Sequence, residues 1–402
     1  MTSGRGVPLA RVPRLVQVDA LRGFALLGIC MVNAPVLAGA WTLAPGAAAP
    51  WDRTAAWLVT ALFTTKFYLL FAFLFGYSFV LQEAAAARDE VSFARRHARR
   101  LLGLFLLGLA HAVLLYPGDI LMTYAVLGLL LYALRGLDTR ALLWTAGALV
   151  VLLTAVFLVV GVAALGLGDV GQVSDRALEA RQSAWYRGGP RMVVHANLAA
   201  YRQAFTGALL YGPHLLAAML TGLAAGRRGW LDPARLPTAS SARGRRLLAA
   251  GLLIGLPGGV LTAMCGHGPF DARYYYLGQA VDILTAPVLS AAYATVLVSL
   301  LRGRSGPGIA AVLAAAGRMS LSHYLLQSGV LAFVFTGYGL ARYGTVGPAA
   351  LACGCVALWA TQLVLSAVHM GRVRYGPAEA LLRRVTGGRP PAARPARRRA
   401  GV

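Results

Sequence analysis

Apolar runs long enough to cross a bilayer recur along this chain, separated by short segments rich in arginine. The run from Ala141 to Gly168 holds no charged residue at all, and a spanning helix needs about 20 such positions. The pattern predicts an all-α, polytopic integral membrane bundle of about ten transmembrane helices. Their expected extents are 16–40, 56–82, 98–116, 118–135, 141–165, 206–226, 246–265, 278–301, 309–336 and 347–369. Arginines cluster before the first span, after every even-numbered span and in the tail. With an even count all of them fall on one side, so the excess of basic residues in cytoplasmic loops places both termini in the cytoplasm. Residues 1–384 read as a single transmembrane domain. Residues 385–402, rich in Pro and Arg, read as a disordered cytoplasmic tail drawn to anionic lipid. The one long outer connection, about 166–205, carries mixed charges and aromatics.

Polar residues inside such runs are costly and are functional candidates by default. In VDALRGFALLGICMVN, Asp19, Arg22 and Asn33 are separated by steps of 3 and 11 and so share one helical face. That face is expected to meet protein or a watery cavity; the Asp19–Arg22 pair serves either a site or local packing. Lys66, the only lysine in the chain, sits within TTKFYLLFAFLFGYSFVLQ. There it would neutralise, pair with an acid or bind an anionic group. In GLAHAVLLYPGDILMTYAVLG, Pro117 and Gly118 mark a tight turn. The resulting helical hairpin brings His111 towards Asp119, with Tyr124 deeper. A carboxylate orienting a histidine is a general-base arrangement, while Asp119 equally suits a helix N-terminus. In GRMSLSHYLLQSGVLAF, residues Ser320, His323, Tyr324 and Gln327 fall at i, i+3, i+4 and i+7, one stripe expected to line the bundle interior. One polar cavity shared by the span-one stripe, Lys66, His111 and the span-nine stripe is the expectation.

Composition narrows the classes. The chain has 402 residues, 58% hydrophobic and 13% charged, about half the charged share of a soluble protein. A formal net charge of +24 suggests nucleic acid, but its distribution in loops between spans fits membrane topology instead. Four cysteines show neither disulfide nor zinc spacing. Asp19 and Arg22 interrupt any signal-peptide core, so the first span reads as uncleaved. There is no P-loop, no HExxH and no GxSxG. Neither a metal nor a haem is expected.

Four blocks carry a resemblance to a known family: RLVQVDALRGFALLGICMVN, KFYLLFAFLFGYSF, RRLLGLFLLGLAHAVLLYPGDILMTYAVLG, and GRMSLSHYLLQS with RYGPAEALLRR, the last pair lying within a C-terminal signature block of about 300–384. They resemble the YeiB-like bacterial membrane proteins, a family of unknown function. Where His323 stands the family more usually has Asn, and where Ala380 stands an aromatic. The family looks like a remote branch of the transmembrane acyltransferases, which include lysosomal heparan glucosaminide acetyltransferases and bacterial polysaccharide O-acetyltransferases. In the latter a histidine needed for activity typically stands eleven residues past the span-one arginine, where this chain has Asn33. The resemblance implies transfer of an acyl group, such as acetyl, from a cytoplasmic acyl-CoA to a hydroxyl or amine of a glycan, lipid or secondary metabolite. His111 is then the candidate base and Asn33 a group orienting a carbonyl or hydroxyl. Arg22 and Lys66 would hold donor phosphates or an oxyanion. It also implies a bacterial cytoplasmic membrane. A transporter or permease using the same buried polar residues as a translocation path is the alternative.

Overall fold

Helix α1, Val16–Ala38, forms over the first apolar run and stops where Gly39 adopts φ 64° and returns its N–H to the carbonyls of Pro35 and Val36. The structure is a computed structural model that describes residues 15–40, 49–166, 176–232, 235–303 and 305–386. The expected tail lies outside the described residues from 387 onwards. Its first position, Val385, instead closes a helix.

The second apolar run is divided. Helix α2 (Pro50–Leu62) and α3 (Lys66–Arg88) are separated by a break in which Thr65 takes φ 72°. The β-branched pair Thr64–Thr65 is a weak helix former, and the break leaves Lys66 at the start of a helix rather than in the middle of a continuous span. Helices α4 (Phe93–Leu114) and α5 (Leu121–Leu134) form the expected hairpin across Pro117–Gly118. Helix α5 has only 14 residues, about 21 Å, short of a bilayer core of about 30 Å. Helix α6 is Thr139–Gly166.

The expected outer loop is largely helical where it is described: α7 (Arg176–Arg187) precedes α8 (Pro190–Arg227). Span six was expected from 206, but α8 begins sixteen residues earlier and its 38 residues reach about 57 Å, well beyond the hydrocarbon core. The polar stretch around Arg202 lowers the local hydropathy without interrupting the helix. Helix α7 is tied down: the Tyr186 ring stacks on Tyr343 at 4.6 Å, and Arg187 donates to the Tyr343 carbonyl at 2.8 and 2.6 Å. Burial pushes the Tyr343 hydroxyl up to about 12.

Helix α9 (Ala242–Ala250) passes through a π-helical turn at Gly251–Gly255 into α10 (Leu256–His267), and α11 is Tyr275–Leu301. The ninth expected span is two helices, α12 (Gly306–Arg318) and α13 (Ser320–Phe335), bent by 74°. Helices α14 (Pro348–Arg372) and α15 (Pro377–Val385) complete the described chain. Among the described residues eight helices are long and apolar enough to cross a membrane, and nine if the bent pair is one span. Adding the short α5 recovers the ten segments read from hydropathy.

Close packing positions the site. A Cβ on Gly23 of α1 would run into the Leu313 carbonyl of α12, and one on Gly317 into the carbonyl of Asp19. Only glycine lets these two backbones touch, as small residues do at helix crossings within membranes. Trp359 of α14 donates to the Gly23 carbonyl at 2.9 Å, closing the other side of α1. The carboxylate of Glu379 on α15 accepts from the N–H groups of Leu321 and Ser322, at 2.8 and 3.2 Å, and from the Ser322 hydroxyl at 2.5 Å. It thereby satisfies donors that the first turn of α13 leaves unpaired at the bend. The two C-terminal sequence blocks are thus bonded to each other.

Candidate functional site

Helix α1 presents Asp19, Arg22, Leu26 and Ile29 in steps of three and four to a cavity of about 880 Å³. Helix α3 contributes Phe71, Phe75, Ser78 and Gln82; α4 contributes Arg96, Arg100 and Leu104; the hairpin and α13 contribute Ile120, Leu121, Tyr124, Ser320 and Tyr324. One end is strongly basic. Seven arginines (22, 88, 96, 100, 318, 374 and 383) face it against three carboxylates, those of Asp19, Asp89 and Glu379. Two of those carboxylates pair inside the cluster, Asp19 with Arg22 at 3.1 Å and Asp89 with Arg96 at 3.0 Å, and Glu379 is taken up by α13, so the arginines remain in excess. Arg22 also donates to the Ser78 hydroxyl, so it is held from two helices. The Nε of Arg100 has no hydrogen-bond partner among the described residues. Such an end attracts an anion.

The dyad does not itself line the cavity but lies behind Tyr324, and none of His111, Asp119 and Asn33, all expected in a shared cavity, is among its walls. The Nδ1 of His111 lies 2.8 Å from Oδ1 of Asp119, and both side chains are about 1% exposed. The second oxygen of Asp119 accepts the Met122 N–H at 2.8 Å. Both readings of Asp119 therefore hold, one oxygen caps α5 and the other orients the histidine. A carboxylate only accepts, so Nδ1–H donates and the Nε2 lone pair is left for chemistry. That Nε2 has no partner among the described residues. Tyr324 links the dyad to the cavity. Its ring lines the cavity and lies 4.9 Å from His111, and its hydroxyl donates to Oδ1 of Asp119 at 3.4 Å. Asn33 does find a partner, since the Tyr116 hydroxyl donates to its Oδ1 at 3.3 Å, and the Tyr116 and His111 rings are 6.1 Å apart. From Arg100 to His111 is eleven residues of α4, about 16 Å of rise.

The structure does not bring every expected residue to this cavity. Lys66 pairs with Asp282 of α11 at 2.6 Å, both essentially without exposure. This pair belongs to a second polar centre, where Tyr68 meets His214 at 3.2 Å and Gln279 donates to the Tyr211 hydroxyl at 3.2 Å. The span-nine stripe also divides. Ser320 and Tyr324 face the cavity, whereas His323 bonds Ser366 of α14 and Gln327 bonds Gln362 at 2.9 Å and the Leu26 carbonyl at 3.3 Å. The 74° bend just before Ser320 turns two faces of α13 to different neighbours. Tyr124 lines the cavity and donates to the Tyr68 carbonyl at 3.4 Å.

Sequence reasoning missed Asp282 and Ser78. For Asp282 a signal existed: it is the only acid in the run from Tyr275 to Leu301, and a buried lysine demands such a partner. Ser78 carried none, because a serine in an apolar helix most often bonds its own backbone, as Ser78 also does to Leu74 at 2.5 Å. No group of three or more His, Cys, Asp or Glu able to hold a metal occurs among the described residues.

Residues 225–389 match the family model described as protein of unknown function DUF418. An uncharacterized protein of Bacillus subtilis, YxaH, is 29% identical over 93% of this chain and 94% of its own length. The uncharacterized YeiB of Escherichia coli is 28% identical over 93% of this chain and 96% of its own. The chain is similar to both of these proteins over nearly its whole length, more than nine-tenths of it in each case. No solved structure matches.

Proposed function

We propose that this protein is a membrane acyltransferase. The donor is a phosphate-bearing thioester such as acetyl-CoA, entering at the basic end of the cavity; the acceptor is a hydroxyl or amine that meets the dyad. One observation carries this reading, a single cavity running from the arginine cluster to Tyr324 beside the His111–Asp119 dyad. Arginines suit donor phosphates because their forked guanidinium binds phosphate oxygens in pairs. In this scheme the Nε2 of His111 removes the acceptor proton as the acceptor oxygen or nitrogen attacks the thioester carbonyl. The C–S bond then breaks, and the proton passes to the departing thiolate. Asp119 stabilises the imidazolium formed in between. Asn33 and Tyr116, bonded to each other beside the His111 ring, are assigned the task of orienting the acceptor or the developing oxyanion.

Acetyl-CoA binding and slow hydrolysis by purified protein in detergent test this reading. Arg22→Ala and Arg100→Ala are expected to weaken binding. His111→Ala keeps binding and loses turnover by about 10²–10⁴, the range for a general base. Well-folded protein that binds neither acetyl-CoA nor longer acyl-CoAs would sink it.

One observation favours transport instead, the Lys66–Asp282 pair at the break between α2 and α3. Interrupted helices beside a buried charge pair recur at the coupling sites of transporters. Acceptor-independent uptake into liposomes, abolished in Asp282→Asn, would decide for that reading.

A further inference from the structure

A second cavity, about 650 Å³, lies between α13, α14 and the start of α15, away from the dyad. Its walls are apolar and it opens sideways: Leu326, Leu365 and Val368 are 42%, 51% and 56% exposed. On a membrane-spanning bundle such side chains face hydrocarbon, so the groove meets the lipid chains directly. Two features are not explained by apolar packing. Arg372, exposed, closes the groove at the end of α14. His323, 2% exposed, lines it with one ring nitrogen held by Ser366 and the other, Nδ1, without a hydrogen-bond partner among the described residues. A buried polar nitrogen left unpaired is costly.

The level of the groove fits a lipid headgroup. Helix α15, which follows directly, buries Leu382 while Arg383 and Arg384 end it, the pattern of a helix lying in the interface. His323 sits beside Ser366, six residues before Arg372, about 9 Å further from the basic end along α14. A phosphate, an ester carbonyl and an acyl chain occur in that order along a phospholipid.

We propose that this groove is a binding site for an anionic phospholipid. The phosphate pairs with Arg372, a water donating both to the free Nδ1 of His323 and to an ester carbonyl joins the lipid to that ring, whose Nε2–H is held by Ser366, and one chain lies along Leu326, Leu365 and Val368. Anionic rather than zwitterionic lipid is specified by charge: Arg372 is the arginine that lines the groove, and no acidic side chain lines it to offset that charge. The site does not depend on the acyl-transfer reading, since it shares neither the dyad nor the cavity beside it.

Native mass spectrometry of the full-length protein in detergent tests this, with phosphatidylglycerol or phosphatidylcholine added at equal mole fraction. Wild type is expected to retain phosphatidylglycerol preferentially. Arg372→Gln should lower that retention about fivefold, the effect of one basic side chain at an anionic surface, and leave phosphatidylcholine unchanged. Leu365→Trp, which fills the groove, should lower retention of both lipids; Val368→Trp replaces it if that variant does not fold. Equal retention of the two lipids by wild type, or unchanged phosphatidylglycerol retention in Arg372→Gln, overturns the proposal. So does full displacement of the lipid by millimolar glycerol phosphate, which would make this a site for the phosphate alone.

Discussion

Two buried charge pairs have different consequences for single substitutions. Lys66 and Asp282 are paired at 2.6 Å with no access to solvent, so removing one partner strands the other. Lys66→Met and Asp282→Leu are each expected to cost about 3–5 kcal/mol, and the double variant less than either, because an apolar pair of similar volume replaces the ions without leaving one uncompensated. Thermal unfolding in detergent measures all three. The His111–Asp119 pair is different in kind, since its carboxylate also caps α5. Asp119→Asn keeps a side-chain oxygen for the Met122 N–H but can no longer hold the imidazole as a carboxylate does. It should therefore lose turnover with little loss of stability, a split read from hydrolysis rate against melting temperature. His111, Asp119 and their approach were legible from a Pro-Gly turn and its spacing. The destination of Lys66 was not, because its partner lies 216 residues away in sequence.

At the level of elements, the hairpin depends on one absent methyl group. A Cβ at Gly108 of α4 would press on Oδ2 of Asp119, the Met122 N–H and the Met122 side chain. Gly108→Ala is expected to part α4 from α5, lowering stability by about 1–3 kcal/mol as overpacked sites do and reducing turnover with it. A similar dependence holds at the bend, where Glu379 supplies acceptors to three donors of α13. Glu379→Ala leaves two backbone N–H groups unpaired at a helix N-terminus. A loss of about 1–2 kcal/mol follows from capping data, together with weaker acyl-CoA binding, because Ser320 and Tyr324 are set by that turn. Periodicity placed four polar residues on one face of α13; His323, Tyr324 and Gln327 are buried there and Ser320 is half-buried. Periodicity could not foresee the 74° bend, which is fixed by α15 returning from sixty residues downstream.

On the scale of the molecule, arginine placement and the cavity tell the same story from different sides. The loop arginines read as a topology signal are also the residues that gather at the basic end: Arg88, Arg96 and Arg100 come from one connection and Arg374 and Arg383 from the last. With ten crossings both termini share that side, and reporter fusions after residue 386 and at the N-terminus should both report a cytoplasmic location. A single fusion reporting the opposite side would remove the ten-crossing topology and with it cytoplasmic entry of the donor.

The sequence by itself determined the class of molecule, the segments that become helices, the hairpin and the stripe on α1. Each of these follows from local pattern, through the need to satisfy every backbone group inside a bilayer and the cost of polar side chains there. Tertiary structure alone decided which polar residues meet. It sent Lys66 to Asp282 and split the α13 stripe between two neighbours. It also joined Glu379 to a helix it does not follow. The physical reason is that a buried charge or amide must find a partner but its own sequence does not say on which helix. That choice is made by close backbone contacts, such as Gly23 against Leu313 and Gly317 against Asp19, which bring distant parts of the chain to within bonding distance.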